Sequence, residues 1–323
     1  MPDTATLKLL DSDQVNALID PAKILDAVRE AFRLHSEGKG QSFPVVRELL
    51  STGGIFGIKS GGISCEAVLG FKAAGFWPSN RAIGGEPHQA TIVLIAPDTG
   101  RPLCIIDGNT VTTLRTGAAG ALGLELLARR DSSRICVFGS GVQATIQLDY
   151  ALRVMPGLSD VEYLTYDGKR AVGFEARFDG RCSIRHSSTP NTAVGRSDVV
   201  ITATPGAGAL FDIDSVAPGT HINCVGADTK GKRELPEGLL SLARVFVDDA
   251  TQARQIGETQ WASHAPVTEI GDLLTGTVLF ERRPDEISIF DMTGLALQDL
   301  TVARQLFKDA QIQSVGHDVK WPW

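Results

Sequence analysis

Arg134-Ile-Cys-Val-Phe-Gly139-Ser-Gly141-Val-Gln-Ala144 is a short apolar run that ends in glycines and passes at once into a helical pattern, Gln143 through Met155. Strand, glycine turn and helix in that order form the setting in which Gly-x-Gly-x-x-Gly/Ala binds a dinucleotide. Gly139 makes the tight turn, Gly141 lets a pyrophosphate approach the backbone, and Ala144 lets the helix pack on the strand. The anion then rests on the unpaired amides of the first helical turn, where Val142 and Gln143 sit. Glycine-rich turns also occur without a ligand, so the neighbouring sequence has to arbitrate. Val161-Glu-Tyr-Leu-Thr-Tyr166 reads as the next strand and runs into Asp167. An acid there accepts hydrogen bonds from both ribose hydroxyls and repels a 2′-phosphate, which favours NAD over NADP. Lys169 and Arg170 follow and could tolerate that phosphate, and a turn before Gly168 is the plainer role for Asp167.

The composition is that of a globular chain large enough for two domains: 323 residues, 43% hydrophobic and 21% charged. A net charge of −7 argues against nucleic-acid or anionic-membrane partners. No apolar run reaches the ~20 residues that span a bilayer. The opening MPDTATLKLL lacks a signal-peptide pattern, so a cytoplasmic protein is expected. Five cysteines, odd in number and without metal-ligand spacing, read as reduced thiols, and neither a metal site nor thiol chemistry is expected.

Asp20-Pro21 announces a helix that Gly38 ends. From there to Asp107 the pattern is strand-like: 45–49, 55–59, 69–76, 91–95 and 103–106, with glycine, proline and asparagine turns between. Strands in succession predict a mostly antiparallel sheet. A helix over about 111–130 leads into the fingerprint. Strands at 161–166, 182–186, 198–202, 222–225, 245–247 and 287–290 then alternate with helices, the signature of a doubly wound parallel sheet. A last helix covers 295–311. The fold class expected is α/β, a Rossmann-type sheet joined to a mostly antiparallel α+β domain.

Asp107-Gly-Asn-Thr-Val-Thr-Thr-Leu-Arg115-Thr-Gly-Ala-Ala-Gly120, followed by the fingerprint, resembles the ornithine cyclodeaminase/μ-crystallin family. Lys72 with Pro78 and Asn80, Gly226-Ala-Asp228 with Lys232 and Glu234-Leu235, and Asp291-Met-Thr-Gly294 extend the likeness over nearly the whole chain. The resemblance implies NAD(P)-linked interconversion of an α-amino acid and its imine, in a homodimer. It also implies a discontinuous layout: a substrate and dimerisation domain at 1–122 with 296–323, and an inserted nucleotide domain at 123–295.

Arg47 and Lys72 are charges inside strand-like runs, which need partners unless they face outward from a one-sided sheet. The resemblance assigns Arg47, Lys72 and Arg115 to the substrate α-carboxylate. It makes Asp228, at the carboxyl end of a strand, the group beside the substrate nitrogen, with Lys72 as its catalytic companion; a capping acid is the alternative for Asp228. Thr112, Thr204, Gly226, Ala227 and Gly294 are expected along the cofactor. The family's lyases need an acid for a side-chain ammonium, whereas the corresponding strand here carries Lys59. With His88 nearby, the expected pocket has more positive charge than one carboxylate balances, although Lys59 could be solvated and His88 a turn residue. The charge and the runs Phe43-Pro-Val-Val-Arg47-Glu, 70–80, His88-Gln89 and Ile256-Gly-Glu-Thr-Gln260 point to an iminosuccinate reductase-like subgroup, which makes L-aspartate. Cyclic ketimine reductase, alanine dehydrogenase, cyclodeaminase and non-enzymatic μ-crystallin-like readings follow in that order.

Overall fold

The computed structural model describes residues 5–206 and 208–322. The chain divides into two compact units, Met1–Arg115 with Leu295–Trp323, and Thr116–Gly294. The first division falls inside the helix Gly108–Leu127, earlier than the 122/123 position expected; the second lies at Gly294/Leu295, beside the expected 295/296.

The first unit is built on an eight-stranded sheet in the order 317–321, 5–10, 102–107, 88–95, 68–76, 55–63 and 40–42, with 46–49 also pairing on 55–63. Every pairing is antiparallel except that of 5–10 with 102–107. Asp20 caps the helix Pro21–Ser36, accepting from the Ala22 and Lys23 amides. The helix Ala296–Gln313 lies on the sheet because small residues let it approach. A Cβ on Gly70 would stand 2.9 Å from Leu300, and one on Gly40 2.7 Å from Leu297.

The second unit holds eight parallel strands in the order 183–186, 160–164, 134–138, 199–202, 221–224, 288–291, 244–247 and 267–269. The central strands are buried along their length, which explains why they read as unbroken apolar runs. The chain winds outward in opposite directions from either side of 134–138, so the fingerprint strand ends at the switch point where open α/β sheets gather ligands. Cys104, Cys136 and Cys224 are buried thiols, whereas Cys65 is exposed and Cys182 half-buried. Among the described residues no helix is long and apolar enough to cross a membrane.

Candidate active site

Gly139 adopts φ +114°, and a Cβ there would stand 2.6 Å from the Ala203 carbonyl of the neighbouring strand. Only glycine serves at that crossing. Gly141 is the N-cap of the helix Val142–Val154 and provides no side-chain cap, leaving the first-turn amides of Val142 and Gln143 to an external acceptor. A Cβ on Gly141 would meet nothing within 4 Å, and the buried Oε1 of Gln143 has no hydrogen-bond partner among the described residues. A bare helix start, open space and an orphaned polar atom fit a dinucleotide phosphate. Asp167 lies just past the strand Asp160–Leu164, which ends two residues sooner than expected. Its Oδ1 accepts from the Lys169 amide at 3.1 Å, so it does hold the turn; that bond foremost keeps the exposed carboxyl below its ordinary range.

Thr204, Gly226 and Gly294 hang on buried acids to which the sequence reading gave no role. Glu234 accepts from the Thr204 amide and hydroxyl (both 2.7 Å), the Thr202 hydroxyl (2.7 Å) and the Gly226 amide (2.9 Å), tying two strand ends together. A Cβ on Gly226 would run into the Thr204 carbonyl and this carboxylate. Ala227 is buried beside it. Asp248 accepts from the Thr293 amide at 2.7 Å and from the Gly294 amide, and Gly294 adopts φ +80°. Glu258 receives the Glu234 amide, and Asp291 receives the amides of Glu258 (3.0 Å) and Thr259 (2.8 Å). Burial pushes Glu258 up to about 8 and Asp291 to about 7. Asp228, half-exposed, accepts from Lys232 Nζ at 2.7 Å and the Thr229 hydroxyl at 3.1 Å.

In the first unit, Lys59 and Lys72 face each other across the pair 55–63/68–76. Register puts Arg47 opposite Gly57, and Gly57, Ala74 and Ala90 in one row beside Lys59, Lys72 and Ile92. Side chains two residues apart share a face, so Arg47, Lys59, Lys72 and His88 stand around a floor of small residues. His88 Nδ1 lies 2.8 Å from Asn109 Oδ1. Lys72 is 5% exposed; its Nζ lies 2.9 and 2.8 Å from the two oxygens of Asp299 and 3.1 Å from the Thr112 hydroxyl. Thr112, expected along the cofactor, here takes a hydrogen bond from Lys72. Arg115 Nε reaches the same Asp299 at 3.1 Å. Burial draws Lys72 down to about 7 against the pull of Asp299, helped by the charges of Arg115 and Lys59. Burial works to raise the Asp299 carboxyl, but Lys72, Arg115 and Lys59 outweigh it and hold it below its usual range. Three of the five expected substrate residues therefore act on one carboxylate, and register aligns Arg47 and His88 with them.

Asp299 itself escaped the sequence reading. Its signal was a charge between Leu297 and Leu300 in a helix segment with no face left for solvent.

The ornithine cyclodeaminase/mu-crystallin family model matches residues 7–314. The chain belongs to this family. It is 34% identical over 320 residues to the alanine dehydrogenase of Archaeoglobus fulgidus, covering 97% of this chain and 98% of that one. It is 31% identical over 325 residues to the iminosuccinate reductase of Paracoccus denitrificans, covering 95% and 98%. Among solved structures, an archaeal alanine dehydrogenase dimer with bound NAD superposes with a TM-score of 0.92 at 33% identity, covering 98% of this chain and 100% of that one. The Paracoccus denitrificans iminosuccinate reductase with NAD⁺ gives 0.91 at 30%, over 98% and 100%. The family's scaffold is thus present along the whole matched span, and its relatives differ in the substrate they are named for.

Proposed function

We propose that this family member is an NADH-dependent reductase of α-imino acids, with iminosuccinate as substrate and L-aspartate as product. The observation that carries the reading is the sharing of Asp299 between Lys72 and Arg115, with Lys59 acting on the same carboxylate. One buried acid between two bonded cations leaves a positive charge that a substrate α-carboxylate balances. Arginine supplies the planar fork that fixes that carboxylate's orientation. Lys59, Arg47 and His88, on the same sheet face, offer donors to a second carboxylate.

Gly139, Gly141, Val142, Gln143 and Asp167 would hold the dinucleotide, with Thr204, Gly226, Ala227 and Gly294 along it and Thr112 as a further contact. When bound, NADH supplies the hydride for the imine carbon. Lys72, whose ammonium gives up its proton near neutrality, holds or releases a proton beside the substrate. Asp228 stabilises the protonated imine nitrogen, the form that accepts hydride more readily. A homodimer is part of the proposal: the archaeal relative is a dimer, and the first unit exposes Val46, Leu49 and Phe76.

The test is NADH oxidation with freshly generated iminosuccinate, set against pyruvate plus ammonia and against cyclic ketimines. Iminosuccinate is expected to turn over fastest, and Asp228→Asn to abolish turnover. The likeness to an alanine dehydrogenase favours a second reading, reductive amination of pyruvate; faster turnover of pyruvate plus ammonia would select it. Preference for cyclic ketimines, or ammonia release from ornithine without net NADH change, would replace both.

A further inference from the structure

The second unit carries a cavity of about 640 Å³ walled by parts of two segments, 233–243 and 258–266. That volume lies within the ~300–1,000 Å³ of small-molecule sites. Its lining includes none of the groups assigned to nucleotide or imine, so a ligand there would bind independently of the proposed reaction.

Glu258 borders this cavity while being only 1% exposed. Its Oε1 accepts from the Glu234 and Leu235 amides at 2.5 and 3.3 Å, whereas its Oε2 has no hydrogen bond among the described residues. Glu258 lines the cavity, and this second oxygen is the one left to accept from a ligand donor. The cavity also offers the opposite charge. Arg233 Nε donates to the Leu235 carbonyl at 2.9 Å, and its guanidinium lies over the Trp261 ring at 5.5 Å. Trp261 is itself anchored, its indole N–H donating to the Lys232 carbonyl at 2.9 Å. The terminal nitrogens of Arg233 make no ion pair among the described residues. Leu235, Leu240 and Pro266 complete an apolar wall.

A positively charged fork, an acidic oxygen able to accept and an apolar wall match the three parts of an amino acid. We infer that this cavity is a second ligand site, taking a free α-amino acid with an apolar side chain: carboxylate on Arg233, ammonium on Glu258 Oε2, side chain against Leu235, Leu240 and Pro266. Burial keeps the Glu258 carboxyl protonated at pH 7, with its pKa up to about 8, and an ammonium arriving there displaces that proton. Binding should therefore release a proton near neutral pH.

Titration calorimetry with L-leucine on the full-length Arg115→Met protein tests this, because that variant disables the proposed imine site. The expected result is saturable binding whose heat varies with the ionisation enthalpy of the buffer. Arg233→Met should weaken it at least tenfold, and Glu258→Gln, which keeps an acceptor for the Leu235 amide, should remove the buffer dependence. Far-UV circular dichroism reports that each variant is folded. Absence of saturable binding to the Arg115→Met protein, or binding that Arg233→Met leaves as strong as before, overturns the inference.

Discussion

Removing the Asp299 carboxylate leaves the buried Lys72 and the part-buried Arg115 without their acid. Lys72 and Arg115 both depend on it, and breaking a buried pair from one side costs about 3–5 kcal/mol. Asp299→Asn is expected to lower stability by that amount in urea unfolding. It should also shift a kinetic limb. Asp299 pulls the Lys72 pKa upward against burial, so without it Lys72 loses its proton at still lower pH. The fall in kcat/KM expected above about pH 7 in the natural protein should then begin at lower pH in the variant, read from initial rates across pH. Asp167 makes a second prediction. In the proposed cofactor site its exposed carboxylate would face a 2′-phosphate, and like charges in contact repel. Asp167→Ala is expected to raise the NADPH:NADH ratio of kcat/KM by tenfold or more, about 1.4 kcal/mol, measured with both cofactors under saturating imine.

The carboxyl edge of the parallel sheet is the element whose polar chemistry the sequence conceals most. Its strands were legible as apolar runs; Glu234, Glu258 and Asp291 fell within stretches that carried the family resemblance, but neither they nor Asp248 could be read as acids that organise the strand ends. Their roles depend on which strand ends lie together, and no local spacing encodes that. Their titration has a readable sign. Glu258 and Asp291 keep their protons in the fold to about pH 8 and 7, above the ordinary carboxyl range. They therefore stabilise fully below about pH 4, and that contribution is lost as pH rises through those values. His221 works in the other direction. It is buried between Ser288 and Asn223 at 2.8 and 2.9 Å, and burial drives it down to about 3. Its contribution is complete above about pH 6.5 and fades as pH falls toward 3. Between about pH 4.5 and 6.5 the two carboxyls outweigh His221, so thermal melts should show a stability maximum near pH 4 and a decline toward pH 8, which Glu258→Gln should flatten.

At the scale of the whole chain, an antiparallel sheet followed by alternating strands and helices was visible in the residue pattern. The strands 5–10 and 317–321 were not. They pair with each other from opposite ends of the chain, and 317–321 is exposed throughout, so no apolar alternation marks it. The unit boundary inside the helix 108–127 was equally hidden, because helical periodicity continues through it. Arg47, Lys59, Lys72 and His88 were individually recognisable, yet their common face emerged only with the strand register. The proposed homodimer makes a prediction for the assembled protein: light scattering should give twice the chain mass, unchanged by NADH.

The row Gly57, Ala74 and Ala90 also limits how this protein could acquire a different substrate. A Cβ on Gly57 would press within 2.9 Å of the Val46 carbonyl, and Ala90 is wedged under Gly108, whose own missing Cβ would fall 2.8 Å from it. Ala74 lies between them in the register and is half-buried, as both of them are. If the proposed substrate lies over this row, side-chain volume along it sets the acceptable chain length while every charged group stays in place. Related enzymes could diverge in preference through volume in that row, with the electrostatics inherited intact.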